Sequence, residues 1–175
     1  MATRKTPSSA KADVSNGPRA GRPISQGPDY GIPSGTKGLL PWSHATERLA
    51  AAHHYRISTV GPGNHPHVTP VDGVWLDDRL YFGGSPSTPR TRNLAVSLHV
   101  GDGSDVVIVH GKAEHLGAAA HDLAVVLSEP VQAKYGYGPR PQDYDAVANG
   151  TFVVRPRLVF AWKAFPNDVT RWRLA

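Results

Sequence analysis

The sequence predicts a mainly β fold, a small barrel of about six or seven antiparallel strands with two or three flanking helices. Segments in which apolar and polar residues alternate recur along the chain, which is typical of half-buried strands. Clusters of Gly, Pro, Asn and Asp separate these segments at the spacing of a barrel. Only two longer segments, near residues 45 and 125, have a helical pattern.

The first 38 residues differ from the rest in composition. They are rich in Pro, Gly and Ser and lack hydrophobic periodicity, so we predict a disordered basic tail over residues 1–38 and one domain over 39–175. The formal net charge is +5, and most of it comes from this tail. Because the tail has no dense Lys/Arg cluster interleaved with aromatics, we expect no nucleic-acid partner.

The amino-acid composition limits the cellular locations that we expect and the side-chain chemistry that the protein can use. The chain has no cysteine, which excludes disulfides, thiolate metal ligands and a cysteine nucleophile. No apolar run approaches the roughly 20 residues that span a bilayer, and the N-terminus lacks the apolar core of a signal peptide. We therefore expect a cytoplasmic protein with no membrane partner.

The elements before residue 85 follow from local patterns. A helix is predicted in SHATERLAAAHH, with Ser43 as its cap and with Leu49 and Ala52 on its inner face. The Gly83–Gly84 pair that ends the last strand of this part would allow backbone to approach another strand or a ligand. The predicted strands are YRISTV, HVTPVDGVWL and RLYFGG.

The second half begins with the loop SPSTPRTRNLA, which leads into a short helix. A hairpin follows around Gly101 to Ser104, and Gly111 indicates a bulge or a close approach in its second strand. The segment AAAHDLAVVLSEPVQAKYG is a helix that Pro130 should break or kink. TFVVRPRLVFAW and VTRWRL complete the sheet.

Taken in order, several of these segments resemble the pyridoxamine 5'-phosphate oxidase-like split-barrel proteins, and more narrowly the flavin/deazaflavin oxidoreductases common in actinobacteria. The resemblance covers residues 40 to 175 and implies a homodimeric split β-barrel that binds FMN or coenzyme F420 between its subunits. Since such a cofactor performs hydride transfer itself, no catalytic side chain is expected, and the substrate would be a small conjugated or quinone-like molecule. The segments are ISTV, HPHVTPVDGVWLDDRLYFGG, TPRTRNLA, VVIVHGKAE and RPRLVFAW followed by TRWRL.

The resemblance implies that the cofactor phosphate binds at the loop after residue 85. Arg90 stands at the usual lysine position and keeps its charge, whereas Pro89 replaces the first cation of the pattern. A lone pair of arginines could also be solvated charges at a helix start. The loop residues assigned to the cofactor are Thr88, Arg90, Arg92 and Asn93.

The second and third strands would line the same cofactor. The resemblance assigns this role to His67, Val68, Thr69 and Pro70, with His67 standing where founding members have arginine. The resemblance also places Phe82 and Gly83 beside the phosphate or ribityl chain. For Phe82 a plain core position is equally compatible with the pattern.

From the neighbouring subunit, Trp162 and Arg171 would reach the flavin. Coenzyme F420 carries an acidic polyglutamate tail, for which exposed cations near the cleft are candidates: Arg140, Lys163, Arg171 and Arg173. Lys134 and Tyr135 belong to a KYG segment that recurs in this group, although a lysine there could simply oppose the helix dipole.

Two other functions remain open. The same fold can bind or store a cofactor without chemistry of its own, or it can bind heme or another tetrapyrrole, for which the nine histidines offer ligands. A bound metal ion is not expected, because no Asp or Glu lies beside the pairs His53–His54 and His65/His67.

Overall fold

The computed structural model describes residues 17–23, 30–61, 63–85, 95–117, 121–138, 140 and 150–175. These residues form nine strands and two helices, which confirms a mainly β fold. In chain order the elements are β1 Arg19–Gly21, α1 Trp42–Ala51, β2 Tyr55–Val60, β3 Pro66–Val71, β4 Gly73–Leu76, β5 Arg79–Gly84, β6 Ala95–Gly101, β7 Val106–Gly117, α2 His121–Tyr135, β8 Gly150–Trp162 and β9 Thr170–Arg173.

All nine strands belong to one antiparallel sheet, with the order β1-β9-β8-β7-β6-β2-β3. Strand β8 is thirteen residues long, and one of its edges serves two partners in succession. Residues 150–154 pair with β5, which also holds β4, and residues 158–161 pair with β9. The sheet therefore divides along β8, which gives the split barrel its two arms.

The alternation of side chains places the main core inside this curved sheet. Tyr55, Ile57 and Thr59 of β2 are buried, whereas the residues between them are not. The same period-2 burial recurs in β6 and in the second half of β8. A second, smaller cluster joins Tyr81 and Val153 to the inner side of α2.

Two turn features agree with the sequence prediction. Gly101 begins the β6–β7 hairpin with a φ of +101°, a conformation that favours glycine. Gly111 marks a register shift between β7 and β8, and a Cβ there would lie 2.3 Å from the carbonyl oxygen of Arg155. Gly111 is thus both a bulge and a close approach.

The expected strand count was too low for two reasons. HVTPVDGVWL, predicted as one strand, forms β3 and β4, because the chain turns at Asp72 and β4 leaves β2 to pair with β5. In addition, β1 lies within the segment predicted to be disordered, so that prediction is wrong for residues 19–21. Arg22 holds this strand, since its guanidinium donates to the carbonyl oxygens of Gly35, Lys37, Asn167 and Val169. The domain boundary at residue 38 stays a prediction.

Both helices differ in detail from expectation. Helix α1 begins at Trp42 after Pro41, with no side-chain cap, so Ser43 lies inside the helix and does not cap it. Helix α2 continues through Pro130. Burial of Ala124 and Leu127 against the sheet offsets the hydrogen bond that proline removes. In the described part of the chain, neither helix has the length and apolar character needed to cross a bilayer.

Candidate functional site

One face of the sheet is left uncovered by the described chain, and we call it the outer face. The pairing register aligns its side chains in two rows that each cross seven strands. The first row is Arg19, Arg173, Leu158, His110, Ser97, Ser58 and Val68. The second is Gly21, Arg171, Phe160, Ile108, His99, Arg56 and Pro70.

Apolar side chains form the middle of this face. Ile108, Leu158 and Phe160 are only half-buried, and Phe160 contacts the ring of His110 edge-on at 5.6 Å. At one margin Val60 and Val68 are 54% and 59% exposed. A sheet face of this kind, with an apolar centre and one charged margin, is suited to contact with another protein surface.

Strand β3 distributes its four predicted cofactor residues over two faces. Val68 and Pro70 lie on the outer face, whereas His67 and Thr69 pair with Thr59 and Ile57 and point to the opposite side. The strand pairs with β2 on one edge, and no described strand covers its other edge. Its backbone therefore offers donors and acceptors to a ligand or a partner.

Thr59, opposite His67, carries an unusual hydroxyl. The residue is 2% exposed, and its Oγ1 has no hydrogen-bond partner among the described residues. A buried hydroxyl without a partner costs free energy, so such atoms are candidates for ligand contact. Sequence reasoning missed Thr59 because its β-branched side chain fits an ordinary strand position.

The end of β5 combines a buried ring with an open backbone. Phe82 is buried and stacks on Phe152 at 5.3 Å, and Phe152 in turn stacks on His115 at 4.7 Å. The core interpretation of Phe82 is therefore the one that the structure favours. Gly83 is exposed, and a Cβ on it would have no atom of the described residues within 4 Å. Space for a ligand remains beside this backbone.

At the opposite end of the sheet, Trp162 and Arg171 lie on the outer face of β8 and β9. The indole of Trp162 donates to the carbonyl oxygen of Gly103 at 3.1 Å and contacts the ring of Phe165 at 5.7 Å. Arg171 faces Phe160 across the strand pair and is half-buried. Lys163, Arg173 and Arg140 are exposed.

The two groups of predicted cofactor residues are far apart in one chain. Five inter-strand spacings separate β3 from β9, which amounts to roughly 24 Å along the sheet. Val68 and Arg171 thus lie at opposite margins of the outer face. Thr88, Arg90, Arg92 and Asn93 lie outside the described residues, as does Pro89.

Lys134 and Tyr135 have a structural role that the sequence did not reveal. The ammonium group of Lys134 donates to the carbonyl oxygen of Gly73 at 3.0 Å and to the Tyr55 hydroxyl at 3.3 Å, above the Tyr55 ring. Burial lowers the pKa of Lys134, although the charge of Asp72 opposes this shift. Burial is also the main cause of the raised pKa of Tyr55 and of Tyr135.

A surface chain of polar groups adjoins this cluster. His53 Nδ1 lies 3.1 Å from His54 Nε2, and His54 Nδ1 lies 2.9 Å from a carboxylate oxygen of Asp72. The hydroxyl of Tyr137 donates to the other oxygen of Asp72, and this bond raises the pKa of Tyr137. Within the described ranges, no three His, Asp or Glu side chains form a metal-binding cluster.

Comparison with known proteins rests on structure. No family model and no curated protein matches the sequence. The fold is similar to that of an F420 reductase, with a TM-score of 0.51 and 20% identity over 65% of this chain and 93% of the other. It is also similar to an FAD-binding protein from Mesorhizobium loti, with a TM-score of 0.53 and 22% identity over 76% and 95% of the two chains.

A third similar structure is a heme binding protein from Mycobacterium smegmatis, with a TM-score of 0.55 and 18% identity over 75% of this chain and 58% of the other. A Listeria innocua protein named after pyridoxamine 5'-phosphate oxidase is among the further matches. The chain therefore has the split-barrel fold of the pyridoxamine 5'-phosphate oxidase-like proteins, as the resemblance implied.

Proposed function

We propose that this protein is an oxidoreductase that binds coenzyme F420 or FMN between two copies of the chain and exchanges a hydride with a small conjugated or quinone-like molecule. The observation that carries the proposal is the separation of β3 from β9 on one uncovered face. A two-fold axis through the apolar centre of the outer face would bring β9 of one copy to β3 of the other. Two copies would then complete two sites, each with residues from both.

The residues of this chain fit such a cofactor. Val68 and Pro70 offer an apolar wall, the free edge of β3 offers backbone donors, and Gly83 leaves room for close approach. When bound, the cofactor supplies the hydride chemistry. The protein binds and orients it, and Arg171 of the partner subunit would place a permanent positive charge beside it.

The choice of cofactor is tested by titration. The purified protein is mixed with F420, FMN and heme in turn, and absorbance and fluorescence are followed. We expect F420 or FMN to bind with a micromolar or lower Kd and to be reduced and reoxidised while bound. If neither binds, the proposal is overturned. If one binds but is never reoxidised by any acceptor tried, a non-catalytic cofactor-binding protein remains.

Sharing of the site between copies has a separate test. Val68→Asp and Arg171→Ala would each damage one half of the site, and both variants are mixed after reversible dissociation. In a mixed dimer one site receives both native halves, so about a quarter of all sites should regain cofactor binding. If no cofactor binding is recovered although subunit exchange is demonstrated, both halves of the site belong to one copy.

Heme is the second candidate cofactor. In addition to the similarity to a heme binding protein, the positions of two histidines favour it. His99 and His110 lie on the outer face, in neighbouring strands and adjacent rows. Either imidazole could ligate iron in a tetrapyrrole that lies on this face. A Soret band that shifts on titration, and is lost in His110→Ala or His99→Ala, would support this candidate over the flavin.

A further inference from the structure

Strand β1 is a short arm that lies along one edge of β9 and buries little surface. It spans only three residues, of which Arg19 and Ala20 are exposed and Gly21 has no side chain to bury. Arg19 also lies directly opposite Arg173. Like charges at directly opposed positions destabilise a strand pair, and burial of apolar surface, which could offset this, is nearly absent from β1. We therefore expect the β1–β9 pairing itself to contribute little to stability.

A single side chain, Arg22, anchors this arm. Its guanidinium donates to the carbonyl oxygens of Gly35 and Lys37 in the segment before α1, and to those of Asn167 and Val169 between β8 and β9. We call these four oxygens the carbonyl cage. Carbonyl oxygens only accept hydrogen bonds, and the planar guanidinium with its five donors can meet several of them at once. The cage is therefore a site built for an arginine side chain.

Release of the arm would open one edge of β9. The amide of Leu174 donates to the carbonyl oxygen of Arg157 in β8 at 3.0 Å. Backbone groups alternate in direction along a strand, so those of Trp172 also face β8, whereas those of Arg171 and Arg173 face β1. Without β1, the amides and carbonyls of these two arginines would lose their strand partner. Such an edge readily accepts another extended segment.

We infer that the edge of β9 and the carbonyl cage form a docking surface for an extended segment of another protein, and that β1 occupies this surface as an internal competitor. An arginine at the fourth position of the segment would fill the cage as Arg22 does. An acidic residue at its first position would pair with Arg173, which repels Arg19.

This pattern distinguishes another protein from a second copy of the chain. The arm of a second copy would bring the same arginine opposite Arg173 as β1 does, so it would have no advantage over the arm already in place. A segment with an acidic first residue and an arginine at the fourth position matches the surface better than β1 and can displace it. The inference does not depend on which cofactor the protein binds.

The first experiment measures how readily the arm detaches. Native-state hydrogen exchange of the full-length protein compares the amides of Arg171 and Arg173, which face β1, with the amide of Trp172, which faces β8. We expect the first two to be protected at least about tenfold less than the third, because a weakly held arm opens without the rest of the fold. Arg22→Ala should lower their protection further and leave Trp172 unchanged, whereas Arg79→Ala, at an exposed position of β5, should change none of them. Equal protection of all three amides would overturn the inference.

The second experiment measures recognition by the open surface, using labelled peptides and the full-length Arg22→Ala protein. The probe is a peptide of residues 17–23 that carries Arg19→Glu. By fluorescence anisotropy it should bind roughly two- to five-fold more tightly than the unchanged peptide, the range of one exposed ion pair. It should bind at least about tenfold more tightly than a peptide that also carries Arg22→Ala, because that peptide cannot fill the cage. The native protein should bind the probe less tightly than the Arg22→Ala protein does, since its own arm competes.

The other results decide against the inference or against its partner. If the probe does not bind the Arg22→Ala protein, or binds equally well without its arginine, the docking surface is overturned. If the unchanged peptide binds as tightly as the probe, the acidic partner is overturned and the arm of a second copy becomes the occupant.

Discussion

The Tyr135 hydroxyl lies 2.7 Å from the amide nitrogen of Gly73 and accepts its hydrogen bond. The same oxygen is 2.7 Å from the carbonyl oxygen of His53. The Tyr135 phenol, at the end of α2, thereby holds two backbone positions in place. One is Gly73, at the corner between β3 and β4, and the other is His53, in the segment that follows α1. This corner orients the edge strand β3, which carries half of the candidate site.

Tyr135→Phe should destabilise the protein by about 1–2 kcal/mol, because it leaves the Gly73 amide without its partner. Chemical denaturation monitored by tryptophan fluorescence measures the loss. Tyr137→Phe is the matched control, since its hydroxyl is exposed and, among the described residues, hydrogen-bonds to Asp72 alone. An equal loss in both variants would contradict the role given to Tyr135.

Lys134 should make stability depend on pH in the alkaline range. Burial disfavours its charged form, so its pKa is lower in the folded chain than the 10.5 of a free lysine. As the pH rises towards 10.5, the unfolded chain holds this proton longer than the folded chain does, and stability increases. Relative to Lys134→Met, the native protein should gain free energy of unfolding between pH 8 and the onset of tyrosine ionisation. Parallel pH profiles of the two proteins would refute this.

Thr59→Val should raise the free energy of unfolding by about 1 kcal/mol, since it replaces a buried hydroxyl that has no partner in the described part of the chain with a methyl group of similar size. Thr170→Val is the control with the opposite sign, because the Thr170 hydroxyl accepts from Leu40 and donates to Asp168, both at 2.8 Å. A stability loss in Thr59→Val would show that its hydroxyl has a partner.

Substitutions of two glycines should have opposite effects, one on stability and the other on cofactor affinity. Gly111→Ala should cost at least about 2 kcal/mol, because its Cβ would overlap the carbonyl oxygen of Arg155. Gly83→Ala should change stability little, since no atom in the described ranges lies within 4 Å of the added Cβ, but it should reduce cofactor affinity. Thermal melts and titrations of both variants decide the matter. If Gly83→Ala binds the cofactor normally, the open space at Gly83 is not part of the site.

Phe160→Asp should separate the two copies by placing a charge at the apolar centre of the outer face. Sedimentation velocity is expected to show a dimer for the native protein and a folded monomer for the variant. Val125→Asp introduces the same charge on the exposed side of α2 and should leave the dimer intact. A native protein that is monomeric at all concentrations would contradict the shared site.

Local patterns were sufficient for much of the fold. Burial alternates in β2, β6 and the second half of β8 as the sequence predicts, and Gly101 and Gly111 act as turn and bulge. The wrong predictions concern elements whose formation depends on tertiary contacts. Strand β1 exists because Arg22 finds carbonyl oxygens far along the chain, and α2 passes through Pro130 because its inner side is buried.

The candidate site was only partly accessible from sequence. Resemblance could name Val68 and Arg171, but only the strand order reveals that they lie at opposite margins of one face. Thr59 and Arg19 gave no signal, because an unpartnered hydroxyl and a cross-strand arginine pair are properties of the folded chain. The roles of the loop residues 86–94 stay predictions.

The pairing of β1 with β9 also bears on how the protein is made. Arg19 has no strand to join until β9 has been synthesised, so this pair can form only after all the other described strands have been made. A nascent chain that has already closed its core would still lack the β1 margin of its sheet.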